Sequence, residues 1–140
     1  VPLYTPEPDV IHELIGHAAT LMQPDLAALN RSLGRAAQVA ADGELCQLER
    51  VYWYTLEFGA VIEDGDIKAF GAGLLSSFGE LGRFKTSAEL CPWDLERMAH
   101  TPYDPTVYQE RIFVAPSRFG SISWQHCRRR LLPKPVTLGS

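Results

Sequence analysis

The residues in this sequence best suited to chemistry are two imidazoles and two carboxylates: His12, Glu13 and His17 within DVIHELIGH, and Glu57 within YWYTLEFG. On a helix advancing about 100° per residue, His12, Glu13, Gly16 and His17 share one side, and the two histidines splay by about 140° with side-chain-free Gly16 between them. That arrangement suits a metal clamp in which Asp9 and Glu13 hydrogen-bond the imidazoles and hold their tautomers. The alternative is that both histidines are solvated or hydrogen-bonded on a polar helix face, the commoner state of such pairs. Two His and one carboxylate on one face of an ion, with the remaining positions open, form the donor set of oxygen-activating Fe(II) enzymes. The acid must then come from another element. Glu57 is the strongest candidate, because its aromatic and aliphatic neighbours make an unpaired carboxylate costly to bury. Its other reading is a surface glutamate or an ion-pair partner of Arg50. A zinc-protease reading of HELIGH is disfavoured: that motif sets its histidines at i, i+4, one residue closer than here, and no third zinc ligand at the usual spacing is evident.

Positioning these groups requires a set of helices. Asp9 is a suitable N-cap, and Val10, Ile11, Leu14, Ile15, Ala18 and Met22 recur at helical spacing on the side opposite the histidines. A second helix is expected from Pro24, burying Leu26, Leu29 and Leu33, with Gly34 weakening its far end. After Asp42 and Gly43, the series Leu45, Leu48, Tyr52, Leu56 has the period of a long amphipathic helix that ends at Gly59 and carries Arg50, Trp53 and Glu57 on its flank. Val61 and Ile62, then Asp64-Gly65, then Ile67, Ala69 and Phe70 predict a hairpin on an Asp-Gly turn. The small residues of GAGLLSSFGE, Gly71 to Glu80, allow backbone to approach a ligand or another element. Beyond Pro92 the signals weaken, although VYQERIFVA, Val107 to Ala115, predicts a final strand. From Arg118 to Ser140 no period is visible, and disorder is expected there.

Composition narrows the function classes. A chain of 140 residues, 46% apolar, has material for one core. Its net charge of -4 offers no field for nucleic acid, and Arg128 to Arg130 is the one basic run. The apolar stretch from Val51 to Ile62 is far short of the roughly 20 residues that cross a bilayer. The opening VPLYTPEPD has neither a basic nor an apolar signal-peptide region and no initiator Met, which reads as a cut end. Cys46, Cys91 and Cys127 are widely spaced, as befits reduced structural thiols in the cytoplasm.

Taken together, YTPEPDVIHELIGH (Tyr4 to His17), YWYTLEFG (Tyr52 to Gly59) and IKAFGAGLLSSFGE (Ile67 to Glu80) resemble, in order and spacing, the signature blocks of the pterin-dependent aromatic amino acid hydroxylases. The resemblance extends from Pro2 to Ala115. It implies a mainly α fold with a small β-hairpin or sheet component, an iron-binding part over residues 1–117 and a divergent tail over 118–140. It further implies that Fe(II) is held by His12, His17 and Glu57, that Glu13 lies beside a tetrahydrobiopterin-type cofactor, and that Tyr52 stands close to the iron. Thr5, Pro8, Trp53, Gly73, Ser76 and Ser77 would line the amino acid pocket, Trp53 and Pro8 against the ring. The implied substrates are O2 and an aromatic amino acid. Trp53 in YWYT argues against the tryptophan enzymes, which resemble YFFT there, and Phe78 in SSFGE leans toward phenylalanine, converted to tyrosine. The family's catalytic domain is longer than this chain, and the resemblance places most of the pterin loop and the arginine for the substrate carboxylate upstream. A catalytically incomplete fragment or interaction module that keeps the iron site is therefore the alternative. An exposed core edge, and with it self-association, is expected in either case.

Overall fold

The computed structural model of the chain describes residues 24–116. The histidine helix expected after Asp9 and the tail expected to be disordered both lie outside the described residues. The first helix, α1 (Pro24–Val39), begins at the proline, whose missing N–H costs nothing in a first turn. It buries Leu26, Leu29, Leu33 and Ala36 at helical spacing. Gly34 does not end it: the position is exposed and a Cβ there would touch nothing within 4 Å, so the helix runs on to Val39.

Helix α2 (Asp42–Tyr52) starts where Glu44 accepts the Ala41 backbone N–H at 3.3 Å, with Asp42 and Glu44 favourably placed in the first turn. The long helix expected through Leu56 divides in two. From Trp53 to Glu57 the backbone widens into a π-helical turn, in which the Phe58 N–H donates to the Trp53 carbonyl at 2.9 Å. The register shifts accordingly. Leu45 is 37% exposed, while Val51, Tyr54, Thr55 and Leu56 are buried. The Thr55 hydroxyl donates to the Val51 carbonyl at 2.7 Å, which occupies an acceptor that the widened ladder would otherwise leave unmatched.

Strands β1 (Ala60–Glu63) and β2 (Asp66–Ala69) form the expected hairpin, with Ile62 opposite Ile67. Asp64 (φ 53°) and Gly65 (φ 77°) both adopt the left-handed conformation that a two-residue turn requires. Two short helices follow, α3 (Ala72–Ser76) and α4 (Phe78–Ser87), then β3 (Glu89–Pro92), α5 (Leu95–Ala99) and β4 (Arg111–Ala115). The sheet has the order β2-β1-β4-β3. Strand β4 pairs in parallel with both neighbours, and it is shorter than expected: only RIFVA is strand.

This sheet is covered on both faces, as parallel pairing generally demands. Val61, Cys91 and Phe113 face one way, into a core shared with α1, α2 and α5. Ala60, Leu90, Ile112 and Val114 face the other way, toward Phe58, Leu74 and Phe84. That two-sided burial explains the continuous apolar run of β4. Residues β3 and α5 escaped the sequence reading because four- and five-residue elements show too little period. Cys91 is buried and Cys46 exposed, and burial raises the Cys91 thiol pKa. No helix among the described residues is long and apolar enough to cross a membrane.

Phe113 is fully buried at the centre of this arrangement and meets the Tyr54 ring edge-on at 5.1 Å. Phe113→Ala should therefore lower unfolding free energy by about 3–5 kcal/mol in urea titration. A loss under about 1 kcal/mol would mean that this face of the sheet is not the main core.

Candidate metal and substrate site

The π turn is the element that builds the site. It carries Trp53 at one end and Glu57 at the other. Residues four apart leave a helix on the same side, so the indole and the carboxylate are presented together. Single π turns inside α-helices recur at functional sites, since the extra residue re-aims side chains without ending the helix.

Glycines fix the turn from behind. A Cβ on Gly71 would lie 2.4 Å from the Glu57 carbonyl oxygen, and one on Gly73 would lie 2.8 Å from the Phe58 ring and 3.0 Å from the same oxygen. The Gly71 and Phe70 N–H groups both donate to the Gly59 carbonyl at 3.0 Å, tying this stretch to the end of the turn. The close approach expected of Gly71 to Glu80 is thus made to the backbone of Glu57 itself. Gly73, read as a pocket residue, is buried in α3 against Phe58. Ser76 and Ser77 follow it at the α3–α4 junction, half-buried, and the Ser76 hydroxyl donates to the Gly73 carbonyl at 3.4 Å.

Among the described residues Trp53 meets Phe58, Tyr103 and Gln109. Its ring stacks on Tyr103 at 4.4 Å with an interplanar angle of 11°, tilts against Phe58 at 4.7 Å, and donates its Nε1–H to Gln109 Oε1 at 2.9 Å. Tyr103 and Gln109 are neighbours of Trp53 that no sequence signal marks, because they lie about fifty residues downstream on a loop without period. Burial raises the Tyr103 phenol pKa, and that of Tyr54, whose hydroxyl donates to the Pro102 carbonyl at 2.6 Å. Tyr54, Tyr103, Asp104 and Gln109 also line a cleft of about 490 Å³.

Of the other expected site residues, some are described and the rest lie outside the described residues. Tyr52 lines the apolar groove between α1 and α2, with Leu33, Leu45 and Leu48. Phe78 is 94% exposed at the start of α4. The Arg50 guanidinium, the ion-pair partner considered for Glu57, donates to the Ala99 carbonyl at 3.3 Å. Thr5, Pro8, His12, Glu13 and His17 lie outside the described residues. Among the described residues no three His, Cys, Asp or Glu converge. Glu57 can contribute one oxygen donor, and the two histidines expected beside it, His12 and His17, lie outside the described residues. A half-buried carboxylate on a backbone held by glycine contacts fits the acid position of a two-His, one-carboxylate iron site.

The described residues thus form a mixed sheet with helices on both faces, and one π turn carries both an acid and an indole. Over residues 1–128 the sequence matches the biopterin-dependent aromatic amino acid hydroxylases, and the chain belongs to that family. It is 39% identical over 142 residues to a chloroplastic phenylalanine 4-monooxygenase of Physcomitrium patens, covering 96% of this chain and 35% of that protein. It is 44% identical over 117 residues to tyrosine 3-monooxygenase of Drosophila melanogaster, covering 83% of this chain and 20% of that one. The crystal structure of Chromobacterium violaceum phenylalanine hydroxylase, with bound iron(III) and 7,8-dihydrobiopterin, matches with a TM-score of 0.79 at 33% identity, over 91% of this chain and 48% of that one. The chain thus spans about a third or less of these curated relatives and about half of the crystallised hydroxylase.

Two outcomes follow from this geometry. Gly71→Ala, which forces backbone apart at Glu57, should cost about 1–3 kcal/mol in thermal unfolding and weaken iron binding. Gly82→Ala, in a helix with open space around it, should be neutral or stabilising by up to about 1 kcal/mol; equal effects of the two would contradict the packing argument. Beside Tyr103, the Thr106 hydroxyl and backbone N–H both donate to the Asp104 carboxylate and lower its pKa. A lowered carboxylate pKa stabilises above the unfolded value and loses that contribution as pH falls through the folded one. In an NMR pH titration, Thr106→Val should accordingly move the Asp104 midpoint upward, toward that of an ordinary carboxylate.

Proposed function

We propose that this chain is the iron-binding portion of a tetrahydropterin-dependent monooxygenase that hydroxylates the ring of an aromatic amino acid, with phenylalanine converted to tyrosine. The observation that carries the reading is the π turn, which presents Glu57 and Trp53 together on a backbone locked by Gly71 and Gly73. Family membership and the phenylalanine 4-monooxygenase relatives support the reaction class. Comparable identity to a tyrosine 3-monooxygenase means that the preference for phenylalanine over tyrosine rests on Phe78, with Trp53 arguing only against tryptophan, rather than on overall similarity.

In this reading His12, His17 and Glu57 hold Fe(II), and Glu13 and Tyr52 stand beside the metal and the tetrahydrobiopterin. Iron and the reduced pterin, when bound, supply the activation of O2. The protein's own contribution is placement. Glu57 would supply negative charge that favours a divalent cation. Trp53 and Pro8 hold the substrate ring between apolar surfaces, while Thr5, Ser76 and Ser77 accept or donate hydrogen bonds to the polar end of the amino acid. Stacking on Trp53 excludes water from one side of the ring and restricts its orientation, which is how proximity lowers a barrier. Self-association through exposed apolar residues such as Phe78 belongs to the same proposal.

A second reading keeps the iron site without turnover. Anaerobic loading with Fe(II), followed by oxygen, a tetrahydropterin and phenylalanine, separates the two. Tyrosine formed by the unmutated chain and reduced by about 10³-fold or more in Glu57→Ala would support the monooxygenase. Stoichiometric iron without tyrosine would support the second reading, and iron affinity unchanged in both His12→Ala and Glu57→Ala would sink the metal site altogether.

A further inference from the structure

Gln109 stands where the loop after α5 enters β4, and it is 9% exposed. Every polar atom of its side chain is engaged. Its Nε2 donates to the carbonyls of Asp104 at 3.0 Å and Val107 at 3.2 Å, and its Oε1 accepts the Trp53 indole N–H at 2.9 Å. The orientation of this amide is dictated by chemistry. Two carbonyl oxygens can face only the amide nitrogen, and an indole N–H can face only the amide oxygen. A flipped amide would set oxygen against oxygen and N–H against N–H. The site is therefore keyed to a side chain at position 53 that donates a hydrogen bond at its edge.

The Gln109 backbone is anchored as firmly. Its N–H donates to Glu80 Oε2 at 3.1 Å, and Glu80 is 3% exposed. Glu80 lies in α4, the helix that begins directly after Ser77. Further along the same contact, a Cβ on Gly79 would meet the Tyr108 hydroxyl oxygen at 2.4 Å, and the Arg83 guanidinium sits 4.5 Å above the Tyr108 ring. Helix α4 thus clamps the loop that carries Tyr103 and Gln109, and that loop clamps the indole.

We propose that Gln109 is a specificity-determining positioning residue: by holding the edge of the Trp53 indole against the stacked Tyr103 ring, it sets the plane and depth of the wall on which the substrate's aromatic ring rests. The inference builds on the reading of Trp53 as the ring contact. With the Nε1–H bond in place, the indole can neither rotate about its side-chain bonds nor slide along Tyr103. Without it, the wall loses its fixed plane, and rings of different width fit with less discrimination. The Glu80 link also joins this wall to the Ser76–Ser77 junction, so that the ring end and the polar end of the pocket keep a fixed separation.

The test uses the whole chain loaded with Fe(II) and a tetrahydropterin. Calorimetry measures the affinity for phenylalanine and for tryptophan in the unmutated chain and in Gln109→Met, Gln109→Glu and Trp53→Phe. Gln109→Met removes the acceptor at similar volume, and the preference between the two amino acids should shrink by about five- to tenfold, the range of one hydrogen bond. Iron affinity should stay within about twofold, because Gln109 reaches the metal only through Trp53. Gln109→Glu keeps an acceptor toward the indole but sets its second carboxylate oxygen against the Asp104 and Val107 carbonyls, so the preference should shrink there as well. Trp53→Phe should lose it, and adding Gln109→Met to that variant should change it no further. A preference unchanged in Gln109→Met, while Trp53→Phe abolishes it, would overturn the role of Gln109 and leave Trp53 as the ring contact. No discrimination in the unmutated chain, or full discrimination in Trp53→Phe, would overturn both. If Gln109→Met does not fold, the Trp53 indole N–H of the unmutated chain decides: it is the 15N resonance missing in Trp53→Phe, and solvent exchange at the rate of a free indole would overturn the proposal.

Discussion

The approach of Gly71 to the carbonyl of Glu57 sets the distance on which the rest of the molecule depends. No side chain can enter that contact, since a single methyl group at Gly71 would fall 2.4 Å from the oxygen. The consequence runs in two directions. Toward the sheet, the hairpin must bring its second strand back to Phe70 and Gly71 beneath the turn, which the left-handed Asp64-Gly65 pair accomplishes in the fewest residues. Toward the site, the end of α2 is pinned at backbone level, so the carboxylate of Glu57 starts from a fixed point. In the proposed role of metal ligand, Glu57 would need little reorganisation when a cation arrives, because the cost of holding it is met during folding.

The π turn and the two-faced sheet are parts of one packing solution. Val51, Tyr54 and Leu56 point into the core shared by α1, α2 and α5, while Phe58 points into the smaller core beneath α3 and α4. Trp53 touches both clusters. An uninterrupted α-helix through Leu56 would rotate these positions out of phase. Inserting one residue of π geometry lets the chain serve the large core before the turn and the small one after it. Trp53 and Glu57 lie on the stretch between, where neither core claims them fully, and both remain half-buried. The proposed site lies at the seam between two hydrophobic clusters.

Surface electrostatics contributes little to this design. The ion pairs among the described residues, Lys85 with Asp66, Lys68 with Glu63, and Arg97 and Arg111 with Glu89, join groups that are about 40–60% exposed and are worth little individually. The buried polar contacts matter more. Glu80, Gln109 and the Trp53 indole form a chain in which each donor meets an acceptor, and a buried group left without its partner costs more than a surface pair returns.

Much of this was legible in the sequence, for local reasons. Pro24 and the Leu26, Leu29, Leu33 spacing determined α1, the Asp64-Gly65 pair determined the hairpin, and the order of three motif blocks determined the family and nominated Glu57. Each of these signals is contained within a few consecutive residues. The π turn, the parallel pairing of β4 with both neighbours, and the partners of Trp53 were decided only by tertiary structure. A helical pattern does not reveal an inserted residue, because the apolar positions on either side still look periodic. Strand order carries no local signature, and a glutamine at position 109 reads as any polar loop residue until the fold brings it to the indole of a residue 56 positions away. The chemistry-bearing side chains were thus written locally, while the geometry that aims them arises from contacts between distant segments, which only packing can select.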